Sequence, residues 1–354
     1  MNVSDFDFHL PDELIAQQAA PRGHSRLMVL DRVEGVVTHD TVSSLPSLLR
    51  EGDLVVVNNT RVMPARLIGR RVPSGGAVEC MLLNRIEREP GGRETWMALV
   101  HPGQKLRPGA RMRFEGDGQS AVLIGDVREQ RFHGRRVVTL WPEAGGSVEE
   151  IVDAIGHIPL PPYIRRDDTR EDRERYQTIY ARERGSVAAP TAGLHFSGEL
   201  MARMKARGVE VVEITLHVGY GTFKPVRTSV VEEHVVDPER YTIADEAADA
   251  IAQAKRDRRR VIAAGTTTTR ALEQAALDGA GRVSAGPGEA TVFIYPGFRF
   301  QVIDALLTNF HLPKSSLLML VAAFAGRERV LAAYEEAVRQ RYRFYSYGDA
   351  MLVR

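Results

Sequence analysis

Three histidines stand in short segments of small and hydroxyl-bearing residues, at places where strands are expected to end. His195 lies in the run Pro-Thr-Ala-Gly-Leu-His-Phe, His217 in Leu-His-Val-Gly-Tyr-Gly-Thr, and His311 in Thr-Asn-Phe-His-Leu-Pro-Lys. Imidazole transfers protons near neutral pH, and small neighbours let a ligand approach the backbone closely. A lone histidine is more often a structural hydrogen-bonding group, so catalytic and structural interpretations both stay open. The spacing of the three histidines matches no metal-binding pattern, and we expect no metal.

A fourth segment predicts a turn that binds an anion or a sugar. The strand-like run 261–264 leads into Gly265, which is followed by Thr266, Thr267 and, one helical turn later, Arg270. Backbone N–H groups and hydroxyls at such a helix start suit a phosphate, a ribose or a carboxylate. The alternative is an ordinary helix start whose threonines bind nothing.

Other polar residues flank expected strand ends, where open α/β sheets bind their ligands. His311 and Lys314 precede a predicted apolar helix, whose N-terminus could bind an anion together with them. The alternative is a buried helix that Ser315 caps. The remaining candidates follow the first strand, begin the segment of His195 or stand near the C-terminus: Asn58, Asn59, Arg61, Thr191 and Asp349.

Two kinds of sequence pattern divide the chain. Short runs without helical periodicity, separated by Gly, Pro and charged turns, predict strands over 65–71, 78–86, 94–101, 110–115, 120–127 and 135–141. Elsewhere strands alternate with helices. These strands are predicted over 53–59, 209–216, 260–264 and 291–295, and the helices after Ser147, after Ser197, over 244–257, from Thr267, over 315–325 and over 328–341.

These patterns predict an α/β fold: a domain with a mixed, largely parallel sheet and helices, plus an inserted small antiparallel β-barrel domain. The α/β catalytic domain is discontinuous and takes residues 1–61 and 157–354. The barrel domain takes residues 62–156.

Composition restricts the class of protein. The chain has 354 residues, of which 44% are apolar and 26% charged, as in ordinary globular proteins. Its single cysteine, Cys80, excludes a disulfide framework and a cysteine-rich zinc site. The formal net charge of +1 gives no support to a polyanion partner. The start of the chain does not read as a secretory signal, and the apolar run 317–325 is too short to cross a bilayer, so we expect a cytoplasmic protein.

The segment 165–184 alternates arginine with aspartate and glutamate. Such a pattern is typical of a solvated surface loop or helix. The alternative is a mobile loop that becomes ordered over a ligand.

The same segments resemble the S-adenosylmethionine:tRNA ribosyltransferase-isomerase family of queuosine biosynthesis. The resemblance is carried by the stretches 5–11, 25–27, 52–62, 156–164, 176–178, 190–196, 216–225, 265–270, 293–297, 308–316 and 346–351. It runs nearly end to end, and only the barrel stretch, roughly 67–150, matches loosely. The chain departs from the family pattern at Val236 and Asp237, which stand where the family has Met and a second His.

The resemblance implies an enzyme that takes S-adenosylmethionine as co-substrate and transfers its ribosyl part, not its methyl group. The acceptor is 7-aminomethyl-7-deazaguanine at the wobble position of a tRNA. The ribose rearranges to an epoxycyclopentanediol, which gives epoxyqueuosine, and adenine and methionine are released. The resemblance also implies an α/β domain with an inserted barrel. We expect a monomer that does not associate with a membrane.

On this resemblance the candidate residues receive roles. His195 or His217 is expected to be the base or the acid, and His311 to help form the pocket. Ribose or carboxylate would be held by Thr191, Gly265, Thr266, Thr267 and Arg270, and the rest of the pocket shaped by Asn58, Asn59, Arg61, Lys314 and Asp349. The basic run 255–260 or the barrel could contact RNA. Two other classes stay open: a non-catalytic RNA-binding protein and a small-molecule enzyme that acts on a phosphosugar.

Overall fold

Seventeen strands and eight helices are found in the computed structural model, which describes residues 1–116, 121–223 and 225–354. The strands are β1 (Arg26–Leu30), β2 (Val37–Thr41), β3 (Leu54–Asn58), β4 (Thr60–Val62), β5 (Arg66–Val72), β6 (Ala77–Arg88), β7 (Glu94–His101), β8 (Arg111–Glu115), β9 (Val122–Gln130), β10 (Arg135–Pro142), β11 (Glu183–Ser186), β12 (Glu210–Leu216), β13 (Glu239–Ile243), β14 (Val261–Ala264), β15 (Gly286–Ala290), β16 (Ala305–Asn309) and β17 (Ala350–Val353). The helices are α1 (Leu45–Leu48), α2 (Val148–Ile155), α3 (Asp172–Arg175), α4 (Gly198–Ala206), α5 (Asp245–Arg256), α6 (Thr266–Asp278), α7 (Ser316–Ala325) and α8 (Arg327–Arg339).

Nine strands form one sheet in the order β15-β13-β12-β3-β14-β16-β17-β1-β2. The central strands β12, β3, β14 and β16 run parallel, and β17 runs parallel to β1. The other pairs are antiparallel, so four of the eight neighbouring pairs within the described residues are parallel. The predicted mixed sheet is confirmed, with its parallel strands concentrated at the centre.

The central strands are apolar on both faces, as expected for strands covered on both sides. In β3, Leu54 and Val56 pack with helices α5 to α8, whereas Val55 and Val57 pack with α1 and α4. This alternation follows from the two-residue period of a strand. The result is a three-layer arrangement, with helices on both faces of the sheet.

The predicted barrel is also confirmed. Strands β5 to β10 close in the order β10-β7-β6-β5-β8-β9, with antiparallel pairing throughout. Helix α2 follows the barrel and packs Ile151 and Val152 into the same core. It starts after Ser147, as predicted. The Ser147 hydroxyl accepts from the Glu150 N–H and the Glu150 carboxylate accepts from the Ser147 N–H, which together form a capping box.

The two ends of the barrel segment lie side by side. Arg66 and His157 form an isolated antiparallel bridge, with both backbone hydrogen bonds made, at 3.2 and 2.8 Å. Strand β4, just before the barrel, pairs in parallel with β11, which follows it. The barrel strands therefore fall inside the segment 62–156, and we propose that segment as the inserted domain.

The prediction of a strand over 291–295 is wrong. That stretch is irregular, and the strand is formed by the preceding residues of β15 instead. The backbone N–H groups of Thr291 and Val292 bond to the side chain of Gln274 rather than to another strand. The buried carboxylate of Glu273 similarly accepts from residues 301–303. Side chains of α6 thus accept hydrogen bonds from backbone N–H groups that would otherwise bond to a neighbouring strand. Ser120, the first residue of the predicted strand 120–127, lies outside the described residues.

The basic run 255–260 is largely neutralised and lies at the amino end of β14. Arg260 pairs with buried Asp53, and Arg259 pairs with Glu210 and Asp257. Lys255 lies 3.6 Å from Asp304. Among the described helices, none is long and apolar enough to span a membrane.

Candidate active site

The segments singled out in the sequence meet at one edge of the sheet. Strands β12, β3, β14 and β16 are parallel, so their carboxyl ends lie together, and β17 begins at the same edge because Asn309 pairs with Ala350. A cavity opens there. Most of its lining comes from these segments: Tyr163, Ala189, Pro190, Thr191, Ala192, Val218, Thr222, Gly265, Thr266, Thr267, Thr308, Asn309, His311, Leu317, Tyr345 and Ser346.

Helix α6 begins in the wall of this cavity. Gly265 precedes it with φ at +104°, a conformation that glycine adopts without the strain of a side chain. The hydroxyls of Thr268 and Thr269 bond back to the carbonyls of Ala264 and Gly265. Thr267 Oγ1, by contrast, is buried and has no hydrogen-bond partner among the described residues. The predicted polar turn is therefore present in the wall of the cavity.

Residues at and after the end of the neighbouring strand β16 form another part of the wall. Thr308 Oγ1 lies 2.9 Å from His311 Nε2, and the His311 N–H donates to the hydroxyl of Tyr334. Burial lowers the pKa of His311 from 6.5 to about 3. The imidazole is therefore neutral at pH 7 and can accept or donate a hydrogen bond without carrying charge.

His195 is also buried and neutral. Only 5% of its surface is exposed, and burial lowers its pKa to about 4, an effect that the side chain of Asn309 opposes. Its Nε2 meets no hydrogen-bond partner at good geometry within the described chain. Three residues upstream, Ala192 lines the cavity. His195 thus lies behind the cavity wall and does not border the cavity itself.

We predict that these two histidines make the protein less stable as the pH falls from 6.5 towards 4. Unfolded histidine binds a proton below 6.5, whereas His195 and His311 resist protonation until about 4 and 3 in the folded protein. Each then contributes up to about 1.4 kcal/mol of lost stability per pH unit. Urea unfolding at pH 7, 6 and 5 measures this slope, which the single His195→Gln and His311→Gln variants should each reduce. Unchanged slopes in both variants would contradict the prediction.

His217 borders a second opening, a cleft between the sheet and the barrel. This cleft is lined by residues of both parts, among them Asn84, Arg135, Gly185, Val218 and Asp237. Because Val218 also lines the cavity, the two openings adjoin.

A chain of hydroxyls fixes the His217 ring. Its Nδ1 lies 3.0 Å from Thr60 Oγ1, which lies 2.7 Å from Ser186 Oγ, and Ser186 in turn accepts from the Val218 N–H. A Cβ at Gly185 would lie 2.7 Å from the ring, so only glycine fits beside it. Partial burial and the charge of Arg240 lower the pKa of His217 below 6.5. A neutral, oriented imidazole at the edge of a cleft is suited to accept a proton.

Arg270 does not line the cavity, because its side chain is committed to a buried ion pair. Its guanidinium pairs with Glu239 and also donates to the carbonyls of Ala290 and Val292. Glu239 in turn accepts from the Gly219 N–H and from the hydroxyl of Thr222. The pair therefore holds the loop after His217 against the helix that begins at the cavity.

Five other candidates also lie outside the cavity lining. Asn58 bonds to the backbone of Leu216 and so ties β3 to β12. Lys314 pairs with Asp7 at 2.7 Å. The remaining three differ in their surroundings: Asn59 bonds to Glu213 and Thr215, Arg61 is exposed, and Asp349 accepts from the N–H groups of Arg26 and Arg343.

The charged segment 165–184 is anchored. Asp172, only 3% exposed, pairs with Arg166 and accepts from the hydroxyl of Tyr347 and from the Thr169 N–H. These donors hold the pKa of the Asp172 carboxyl far below its usual range against the cost of burial. The segment thereby fixes Tyr347, next to the cavity residues Tyr345 and Ser346.

Some lining residues were not proposed from the sequence. Tyr163, Tyr345, Ser346, Thr222 and Leu317 line the cavity, as does Asn309. Most belong to segments that were identified in the sequence by their composition. Which side chains of a segment face the cavity depends on the direction in which they point, and composition does not give that direction. In the part of the chain that is described, no group of three or more His, Cys, Asp or Glu residues is arranged to hold a metal ion.

The mixed sheet, the inserted barrel and a polar cavity at the carboxyl edge of parallel strands define an α/β enzyme that binds a small polar ligand. A family model described as "Queuosine biosynthesis protein" matches residues 3–353. The chain belongs to this family.

Similar proteins match this chain along its whole length. S-adenosylmethionine:tRNA ribosyltransferase-isomerases are 51% identical in Symbiobacterium thermophilum and 52% identical in Carboxydothermus hydrogenoformans, with all of both chains covered. The crystal structure of an S-adenosylmethionine tRNA ribosyltransferase from Thermotoga maritima is 36% identical. It superposes with a TM-score of 0.55 over 99% of this chain and 100% of that one.

Proposed function

We propose that this protein transfers and isomerises the ribosyl part of S-adenosylmethionine onto 7-aminomethyl-7-deazaguanine at the wobble position of a tRNA. The products are epoxyqueuosine-tRNA, adenine and methionine. The observation that carries this proposal is the cavity itself, because it is built from the segments in which the chain resembles the family. The enzyme acts in the cytoplasm as a monomer, with S-adenosylmethionine as co-substrate and without a metal.

The reaction makes three demands on the site. The sulfonium acidifies the ribose 5′ carbon, and a base must remove a proton there. Adenine must leave, and the neutral amine of the modified base must attack the ribose. The epoxide then closes as methionine departs. Each demand is met best by neutral, oriented groups in a site that excludes water.

His217 is the best candidate for the base. It borders the cleft that adjoins the cavity, its ring is held by Thr60, and partial burial and Arg240 lower its pKa below 6.5, so that the ring is unprotonated at neutral pH. His311 lines the cavity but is a weak base because of its burial. We assign His311 to hydrogen bonding within the cavity, and His195 to support of the wall. Thr191, Gly265, Thr266 and Thr267 contact the co-substrate.

The hairpin between β9 and β10 is a candidate contact for the tRNA. Phe132 at its tip is 88% exposed and is flanked by Arg131 and Arg135. Exposed aromatic rings among arginines are typical of surfaces that stack on unpaired bases. Arg135 pairs with Asp237 at 2.8 Å, and both residues line the cleft of His217. The hairpin therefore stands at the mouth of that cleft.

Replacing Phe132 with alanine is expected to raise the KM for tRNA by about 5- to 150-fold, because one base–aromatic stack contributes about 1–3 kcal/mol. The KM for S-adenosylmethionine should stay unchanged. Steady-state kinetics with each substrate varied in turn measure both. Val33→Ala is the control, since Val33 is 77% exposed in the turn between β1 and β2. An equal effect of both variants, or none from Phe132→Ala, would exclude the hairpin.

The function is tested with S-adenosylmethionine labelled separately in adenine and in methionine, incubated with and without tRNA that carries 7-aminomethyl-7-deazaguanine. We expect release of both labels only with this tRNA. Binding of tRNA without release would indicate a non-catalytic RNA-binding protein. Turnover of a phosphosugar without RNA would indicate a small-molecule enzyme.

A further inference from the structure

The cavity at the carboxyl edge of the sheet carries no formal charge on its walls. Among the described residues that line it there is no Lys, Arg, Asp or Glu, and its one histidine, His311, is neutral above pH 3 because of burial. A buried charge without a partner is strongly destabilised. The described lining therefore offers no charged side chain to pair with the carboxylate and ammonium of methionine or with a protonated aminomethyl group.

The walls instead suit a flat, neutral heterocycle. Tyr163 and Tyr345 meet edge to face, with ring centroids 3.9 Å apart, and Leu317 and Val218 supply aliphatic surface. Tyr345 is held with φ at +74°, a strained conformation for a residue with a side chain. Its carbonyl accepts from Asn309 Nδ2. Strain of this kind is found where a side chain must be placed for function.

The side chain of Asn309 has a fixed orientation. It is 2% exposed, and its amide nitrogen donates to the carbonyls of Tyr345 at 3.0 Å and Ser346 at 3.4 Å. Because the nitrogen is committed to these two acceptors, the oxygen must occupy the other position. Asn309 is among the residues that line the cavity, and its Oδ1 is buried and has no hydrogen-bond partner at good geometry in the described chain. It is an acceptor that a ligand N–H would satisfy.

A second group in the cavity has the same property. Thr267 Oγ1, at the start of α6, is buried and unpartnered within the described residues. A hydroxyl can donate to a ring nitrogen, whereas Asn309 Oδ1 can only accept. One acceptor and one donor in a neutral, partly aromatic cavity match the amino group and a ring nitrogen of adenine.

We propose that this cavity binds the adenine of S-adenosylmethionine and that Asn309 determines base specificity by accepting a hydrogen bond from the exocyclic amine. This proposal rests on the proposed function. The sulfonium, the methionine chain and the modified base of the tRNA then lie towards the adjoining cleft of His217, where charged residues such as Arg135 and Arg240 are found.

The rival role for Asn309 is to orient His195. Asn309 opposes the lowering of the His195 pKa, and His195 Nε2 is likewise unpartnered at good geometry among the described residues. The two roles differ in what they predict. A residue that contacts the base alters the choice between bases, whereas a residue that only orients His195 alters turnover equally for every base.

The test compares S-adenosylmethionine with its S-inosyl analogue, in which a carbonyl replaces the amine and would face Asn309 Oδ1. We expect the protein to prefer the adenosyl compound by about 100-fold or more in kcat/KM, as sites built around a ligand N–H do. Asn309→Ala should reduce this preference at least tenfold. The matched control is Asn59→Ala, which removes a buried asparagine just after β3 in the same sheet, outside the cavity lining, and should leave the preference unchanged.

A measurement on the unmodified protein covers the case that Asn309→Ala does not fold. Adenine should inhibit turnover of S-adenosylmethionine at concentrations at least tenfold lower than hypoxanthine does. Equal inhibition by the two bases, or an Asn309→Ala protein that turns over more slowly with its base preference intact, would overturn the proposal. Failure of the proposed function looks different, because no base would then be released from S-adenosylmethionine at all.

Discussion

Alanine at position 217 is expected to slow tRNA-dependent release of adenine by about 100- to 10,000-fold, the usual contribution of a positioned general base. The imidazole of His217 is neutral, borders the cleft beside the cavity and is held by the hydroxyl of Thr60. The measurement is single-turnover release of labelled adenine at saturating substrates. The KM for S-adenosylmethionine should change less than the rate, because the ring lies outside the cavity that we propose binds the adenine.

The pH dependence provides an independent check on His217. A base must be unprotonated, and burial and Arg240 place the pKa of His217 below 6.5. The rate should therefore be level above pH 7 and fall as the pH drops through the pKa of the histidine. The control is Thr60→Val, which keeps the volume but removes the hydroxyl that orients the ring, and it should cause a smaller loss. A His217→Ala protein with near-normal turnover would exclude this base.

Replacing Arg270 with alanine is expected to lower the free energy of unfolding by about 3–5 kcal/mol, because it leaves the carboxylate of Glu239 buried without its partner. Both side chains are almost inaccessible, with 11% and 3% exposed. Thermal unfolding and urea titration measure the loss. Activity should fall as well, since Glu239 also binds the loop of Gly219 and Thr222 beside the cavity.

A second substitution separates the ion pair from the space that the side chain fills. The double variant Arg270→Ala with Glu239→Gln removes the unpaired charge and should recover part of the stability lost in Arg270→Ala. A double variant that is less stable than Arg270→Ala alone would show that packing, not the buried charge, dominates. A direct role of Arg270 in binding the co-substrate predicts a stable Arg270→Ala protein with a raised KM.

Much of the fold followed from local sequence patterns. The barrel strands are short runs separated by Gly, Pro and charged turns, and Ser147 and Glu150 mark the start of the helix after them. Strands such as β14 and β3 are short, apolar and bounded by polar turns. The sequence does not predict the strand at 286–290 because Gly-Pro-Gly is unfavourable in a strand, and the strand is stabilised by its pairing with β13 and by the hydrogen bond from Arg270 to the carbonyl of Ala290. Such a tertiary effect leaves no local signal.

The site was predictable as a set of segments but not as a set of side chains. Gly265, Thr266 and Thr267 were found because a buried strand that runs directly into a polar helix start is typical of a ligand-binding turn. Lys314 and Arg270 looked equally suited to an anion, yet each is paired with an acid from a distant part of the chain. Which residues of a polar segment face the ligand depends on these long-range partners, and the sequence does not reveal them.

The arrangement of the barrel within the chain has a consequence for synthesis on the ribosome. All six barrel strands lie between Arg66 and Pro142, and the bridge of Arg66 with His157 joins the two ends of the barrel segment. Strand β1, in contrast, lies between β2 and β17, and β17 is the last strand to be made. The barrel can therefore complete its pairing while much of the polypeptide is still being made, whereas the sheet cannot be finished until β17 has emerged. We expect the barrel to fold first. Strand β1 stays unpaired along one edge until β17 has been synthesised and can pair with it.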